Sequence, residues 1–172
     1  PEGCFVQLYV RSSLSARRES LPRHLLAVAC CCKVKDFEVC LVSAHLHPHA
    51  ENAAERTEQV QGIVSACGSG NSLVLMGDMN VQRVEVQELC DEHALTAMRY
   101  SNGSWDPRRN KFYANLKNYR GEGKVYDQIW TFGPVWVEGH MVGACKEYRA
   151  GQRFFLSDHF ALLGLLDCHA SY

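Results

Sequence analysis

The stretch Ser72-Leu-Val-Leu-Met-Gly-Asp-Met-Asn80 decides how the chain is read. A short apolar run ends at Gly77, and a carboxylate and a carboxamide follow two residues apart. Apolar, β-rich runs of this length bounded by Gly read as buried strands. Asp78 and Asn80 then lie where that strand leaves the core, and in α/β sheets ligands are usually met there. Residues i and i+2 of an extended chain point the same way, so both side chains can face one substrate. The same residues also suit an Asx turn that closes a strand.

On either side of this stretch, apolar runs alternate with helical patterns. Upstream, Gly3 to Val10 reads as a strand and Arg11 to Arg23 as a polar, basic loop. Leu25 to Val34 and Glu38 to Ala44 read as an antiparallel hairpin turning at Lys35-Asp36, and the second run ends in His45-Leu-His-Pro-His49. Ala53, Thr57, Val60, Val64 and Cys67 recur at three- and four-residue steps, which predicts a helix stopped by Gly68. Downstream, Val84 to His93 reads as a short helix. Val125 to Phe132 and Val135 to Val142 read as strands around Gly133-Pro134, and Phe160 to Leu166 as a last strand after a loop through Gly151. Hairpins mixed with helical crossovers indicate one mixed α/β unit, residues 1–172, with no internal repeat or linker.

Composition sets the outer bounds. The 172 residues suffice for one domain with a core, and 47% hydrophobic with 22% charged residues is ordinary for a globular protein. A formal net charge of -1 gives no global pull toward nucleic acid, so any such footprint is local. No apolar run approaches the roughly 18 residues of a membrane span. Nine cysteines without a C-x-x-C pair form no metal signature, and they fit a reducing, intracellular compartment, nucleus or cytoplasm.

Four strand ends carry polar groups: His45, Asp78 with Asn80, Asp127, and Asp158 with His159. The set offers an imidazole acid or base, carboxylates for water activation or a hard metal ion, and a carboxylate to orient an imidazole. That inventory suits phosphate-ester hydrolysis, in which positioning and charge stabilisation dominate. Solvated turn residues at His45, His47 and His49, and a satisfied buried carboxylate at Asp127, are the plainer readings. Residues 99–124 hold seven basic residues against two acids, with Tyr100, Trp105, Phe112, Tyr113 and Tyr119 interleaved. Basic groups with aromatic faces are what single-stranded nucleic acid binding uses. A solvated loop with a few core aromatics gives the same composition.

Ser43-Ala-His-Leu46, Gly77-Asp-Met-Asn80, Tyr126-Asp-Gln-Ile-Trp130 and Ser157-Asp-His159 resemble, in order and spacing, the motifs of the endonuclease/exonuclease/phosphatase superfamily. Ala53-Ala-Glu-Arg56 and Ser104-Trp-Asp-Pro107 with Asn110 resemble most the tyrosyl-DNA phosphodiesterase 2-like branch. The resemblance implies a DNase I-like four-layer sandwich, in which two packed, mostly antiparallel or mixed sheets are flanked by helices. It implies a phosphodiesterase that uses Mg²⁺ or Mn²⁺ on nucleic-acid ends. A phospholipid or inositol-phosphate esterase and a catalytically dead remnant are the alternatives. Implied catalytic residues are Asp78, Asn80, His159, His45 and Asp127, with Asp158 and Asp78 at the metal. Trp105, Asn110 and Arg56 would touch substrate, although a helical Arg56 also suits a salt-bridged or solvated face. The superfamily's opening strand Asn and its metal-binding Glu, in a Leu-Gln-Glu context, are not found here. The chain is therefore read as the C-terminal portion of such a domain, truncated on its N-terminal side.

Overall fold

The computed structural model describes residues 6–34, 36–68, 70–99, 103–109, 119–142, 146–149, 152–155, 159 and 161–168. Among these residues the main sheet has six strands: β1 (Ala16–Glu19), β2 (Ala27–Val34), β3 (Phe37–His45), β4 (Ser72–Asp78), β5 (Thr96–Ala97) and β6 (Asp127–Phe132). They lie in the order β1-β2-β3-β4-β6-β5. The expected hairpin is β2–β3, antiparallel with Val34 opposite Phe37. β3 and β4 are parallel. A parallel pair needs a crossover, and here α1 (Ala53–Cys67) supplies it. A second helix, α2 (Arg83–His93), follows β4.

Both faces of the central strands are buried, which is why their sequences are apolar runs rather than alternations. Cys40, Val42, Leu73, Leu75 and Trp130 pack with Val60 and Ile63 of α1 and Leu89 of α2. On the opposite face, Val39, Val74 and Ile129 pack with Val135 and Val137 of β7 (Val135–Val142) and Leu162 and Leu166 of β10 (Ala161–Cys168). β7 and β10 pair antiparallel as a second sheet, and β8 (Lys146–Arg149) pairs with β9 (Gln152–Phe155). Helices on one sheet and a second sheet behind it give the expected mixed α/β layering.

Three local expectations change. Residues 6–10 of the predicted Gly3–Val10 strand form no strand, and residues 1–5 lie outside the described residues. Inside the predicted basic loop, Ala16–Glu19 pairs with β2 as an edge strand, where Arg17 faces solvent and bridges to Glu19 and Glu38. β8 and β9 stand where a loop through Gly151 was expected.

Gly77 is where the fold needs glycine. Its φ is 137°, and a Cβ there would lie 2.0 Å from the carbonyl oxygen of Ala44, its partner on β3. Gly70 also has a positive φ, 82°, but open space around it. Gly77→Ala is expected to lower the melting temperature clearly more than Gly70→Ala. Backbone strain of about 1–3 kcal/mol is common to both, and the clash adds to it only at Gly77. Thermal unfolding of the two variants checks this, and equal losses would show that the close approach to Ala44 does not matter.

Candidate active site

Strand alternation brings the polar strand ends together. In β3, residues 39 and 41 face the second sheet, so His45 at the end of the same series does too. Val74 and Met76 put Asp78 on that face, and Ile129 puts Asp127 there. The register completes the row, with His45 opposite Asp78 and Asp78 opposite Asp127. Adjacent strands are about 4.8 Å apart, so three ionisable groups stand side by side along one sheet edge.

His159 reaches this row from outside the main sheet. It forms a β-bridge to Trp105, and its Nδ1 lies 2.6 Å from Asp127 Oδ2. Asp127 is itself fixed from behind, because its N–H donates to Ser104 Oγ at 3.0 Å. His45 Nε2 lies 3.9 Å from Asp78 Oδ2, an electrostatic neighbour rather than a hydrogen-bond partner. All four side chains are a fifth to a third exposed, so they are partly dehydrated but reachable.

Burial, and then the charge of Asp127, push the Asp78 carboxyl above its ordinary value, against the opposing pull of His159, the Asn80 amide and His45. A carboxylate placed this way holds a proton more readily than one in water.

Asn80 does not extend the strand alongside Asp78. Its φ of 51° is left-handed, its N–H donates to Asp78 Oδ1 at 3.1 Å, and its Nδ2 donates to the Leu46 carbonyl at 3.0 Å. The Asx turn and the polar strand end are therefore one feature. The turn is also tied down by Leu46 N–H on the Asp78 carbonyl and Met79 N–H on the Tyr126 carbonyl.

Arg56 makes the salt bridge that one of its readings expected, but inside the core rather than on a solvated face. It is wholly buried, with Nε and Nη2 on Glu85 Oε1 at 3.0 and 2.5 Å and Nη1 on the carbonyls of His47 and His49 at 3.0 and 2.6 Å. Glu85 Oε2 in turn accepts the Gln82 N–H that opens α2. Arg56 heads the buried stripe of α1, which continues through Val60, Ile63 and Cys67.

Trp105 lies at the rim of the site. Its main chain exchanges two hydrogen bonds with Lys124, and its ring meets Tyr119 edge-on at 5.4 Å and Tyr126 at 6.1 Å. Tyr126 in turn lies 6.2 Å from the His159 ring. Arg108, read as a phosphate-tracking base, is forked onto Asp106 with Nε and Nη2 at 2.8 and 2.7 Å. That fork holds the Asp106 carboxyl below its usual range. The sequence carried a signal for this pair in the i, i+2 spacing around Pro107. Asp158, Asn110, Lys111, Lys117, Tyr100, Phe112 and Tyr113 lie outside the described residues.

Among the described residues, no group of three or more His, Cys, Asp or Glu side chains is arranged to hold a metal ion. The described donors therefore do not make a divalent-cation site by themselves. No helix of the described residues is long and apolar enough to cross a membrane.

No family model and no curated protein matches the sequence. Solved structures do match its fold. A beta toxin double mutant from Staphylococcus aureus with bound magnesium ions is similar at TM-score 0.61 and 18% identity, over 80% of this chain and 56% of that one. Truncated Caenorhabditis elegans TDP2 is similar at TM-score 0.63 and 17% identity, over 93% and 68%. D. rerio TDP2 complexed with single strand DNA product is similar at TM-score 0.67 and 15% identity, over 90% and 67%. The chain thus spans little more than half the length of the beta toxin chain and about two thirds of the TDP2 chains. These likenesses show the fold, which is DNase I-like.

Proposed function

We propose that this chain carries the catalytic edge of a metal-dependent phosphodiesterase that hydrolyses phosphodiester bonds at nucleic-acid ends. The observation that supports it best is the His159–Asp127 pair, 2.6 Å apart, standing one strand from Asp78. Nδ1 of His159 is engaged by Asp127, so Nε2 is the ring atom that acts on the phosphate and stabilises charge there. Asp78 activates the attacking water or protonates the departing oxygen. Asn80 serves by holding Asp78 through the turn, and His45 lies beside the leaving group. Trp105 offers an aromatic face to a nucleobase.

Magnesium is part of the proposal, as is nucleic acid as partner. Hard divalent cations take several oxygen ligands, so Asp78 alone is too few. The remaining oxygens come from beyond the described residues, with Asp158 as the first candidate.

The test is hydrolysis of a 5′-blocked oligonucleotide by the purified protein, with and without Mg²⁺. Metal-dependent release of the blocking group is expected, and His159→Ala is expected to lower it at least ~100-fold. Turnover of phospholipid vesicles or inositol phosphates in place of the oligonucleotide would transfer the site to the other substrate class. Binding of the oligonucleotide with no metal-dependent turnover of any of these would overturn the catalytic reading.

A further inference from the structure

Tyr126 precedes Asp127 and takes part in both halves of the site. Its main-chain carbonyl accepts the Met79 N–H at 2.7 Å, between Asp78 and Asn80. Its ring neighbours those of Trp105 and His159, with centroids 6.1 and 6.2 Å away and planes tilted by 43° and 31°. Both separations fall in the range where aromatic pairs attract beyond simple area burial. His159 is also held by Asp127 through Nδ1. Its main chain touches the rest of the described site through the bridge to Trp105. A ring packed beside an imidazole limits the rotation that would carry Nδ1 off its carboxylate partner. Burial, and then the charge of Tyr119, keep the Tyr126 phenol above its ordinary value, against the pull of Gln82. The hydroxyl is therefore neutral, and the wall is an uncharged ring.

We propose that Tyr126 is a positioning residue: its ring is the wall that keeps the His159 imidazole seated on Asp127, while its carbonyl anchors the turn that carries Asp78. The kinetic arm of its test rests on the proposed function, and the spectroscopic arm does not.

The test compares Tyr126→Leu, which removes the ring, with Tyr126→Phe, which removes only the hydroxyl. The first readout is the downfield proton resonance of His159 Nδ1–H, assigned by its loss in Asp127→Asn. It is expected to persist in wild type and Y126F, and to broaden into exchange with water in Y126L. The second readout is turnover of the blocked oligonucleotide. There kcat is expected to fall about 10- to 100-fold in Y126L, with KM within about twofold, because misorientation of a reacting group affects the chemical step more than binding. Y126F should restore both readouts. If Y126L does not fold, Tyr126→Met, similar in bulk and without a ring, takes its place. A Y126L protein that folds and keeps the resonance sharp overturns the proposal, as does Y126F falling as far as Y126L. If wild type shows no turnover but the resonance responds as described, the positioning role stands and the proposed function falls.

Discussion

Asp78→Asn is expected to lower turnover at least ~100-fold and, at neutral pH, to make the protein more stable. The first effect follows from removing an acid–base group at the reacting phosphate. The second follows from the site's own electrostatics. Burial and Asp127 raise the Asp78 carboxyl above its ordinary value in the folded state. Well below that ordinary value, both folded and unfolded chains hold the proton, and the group has no influence on stability. As pH rises, the unfolded chain releases its proton first, and folding is then disfavoured by having to keep the proton or bury the charge. That penalty is complete above the raised folded value. Asn cannot ionise, and its Oδ1 can still accept the Asn80 N–H, so the turn is retained. The variant's advantage in melting temperature should therefore be small near pH 4 and larger at pH 7. An advantage that does not grow with pH would mean that Asp78 is not held out of its ordinary ionisation by the fold. Mg²⁺ should narrow the gap by compensating the carboxylate in wild type alone.

This expectation depends on the position of Asp78, much of which is legible in the sequence. The apolar run, the Gly and the two polar residues announce a strand end, and the register then sets His45 and Asp127 beside it. The contact between His159 and Asp127 spans 32 residues, and no local pattern carries such a distance. Its expectation came from the ordered motifs. Charged strands were harder to read. Ala16–Glu19 contains three charged residues in a row, yet an edge strand with one face in water accepts them, and Arg17 finds Glu38 across β2. Residues 6–10 illustrate the reverse, because an apolar pattern makes a strand only when another strand is there to pair with it. Asn80 was misread for a geometric reason. The i, i+2 rule holds only while the chain stays extended, and the backbone turns left-handed at residue 80.

Arg56→Met is expected to destabilise the protein by about 3–5 kcal/mol, the usual result of leaving one partner of a buried ion pair uncompensated. Position 56 heads the buried stripe of α1, and Met would suit an otherwise apolar stripe. The side chain present instead makes four hydrogen bonds, two to Glu85 and two to main-chain carbonyls. Removing it strands the Glu85 carboxylate and the carbonyls of His47 and His49 in a site from which water is largely excluded. A total stability of about 5–15 kcal/mol is typical of a domain, so the loss would be a large fraction of it. Arg56→Lys should recover only part, since an ammonium cannot span a carboxylate and two carbonyls as the planar fork does. The double variant Arg56→Met with Glu85→Gln should be more stable than Arg56→Met alone, because Gln removes the stranded charge while its oxygen can still accept the Gln82 N–H. Urea unfolding of wild type, Arg56→Met, Glu85→Gln and the double variant measures the coupling directly. The effect should also reach the candidate site. Arg56 fixes the carbonyls on either side of Pro48, and the preceding Leu46 carbonyl receives the Asn80 amide that steadies Asp78. An Arg56→Met protein that unfolds within about 1 kcal/mol of wild type would behave like one that had lost a surface ion pair. That outcome would mean the guanidinium is not the link between α1, α2 and the strand ends.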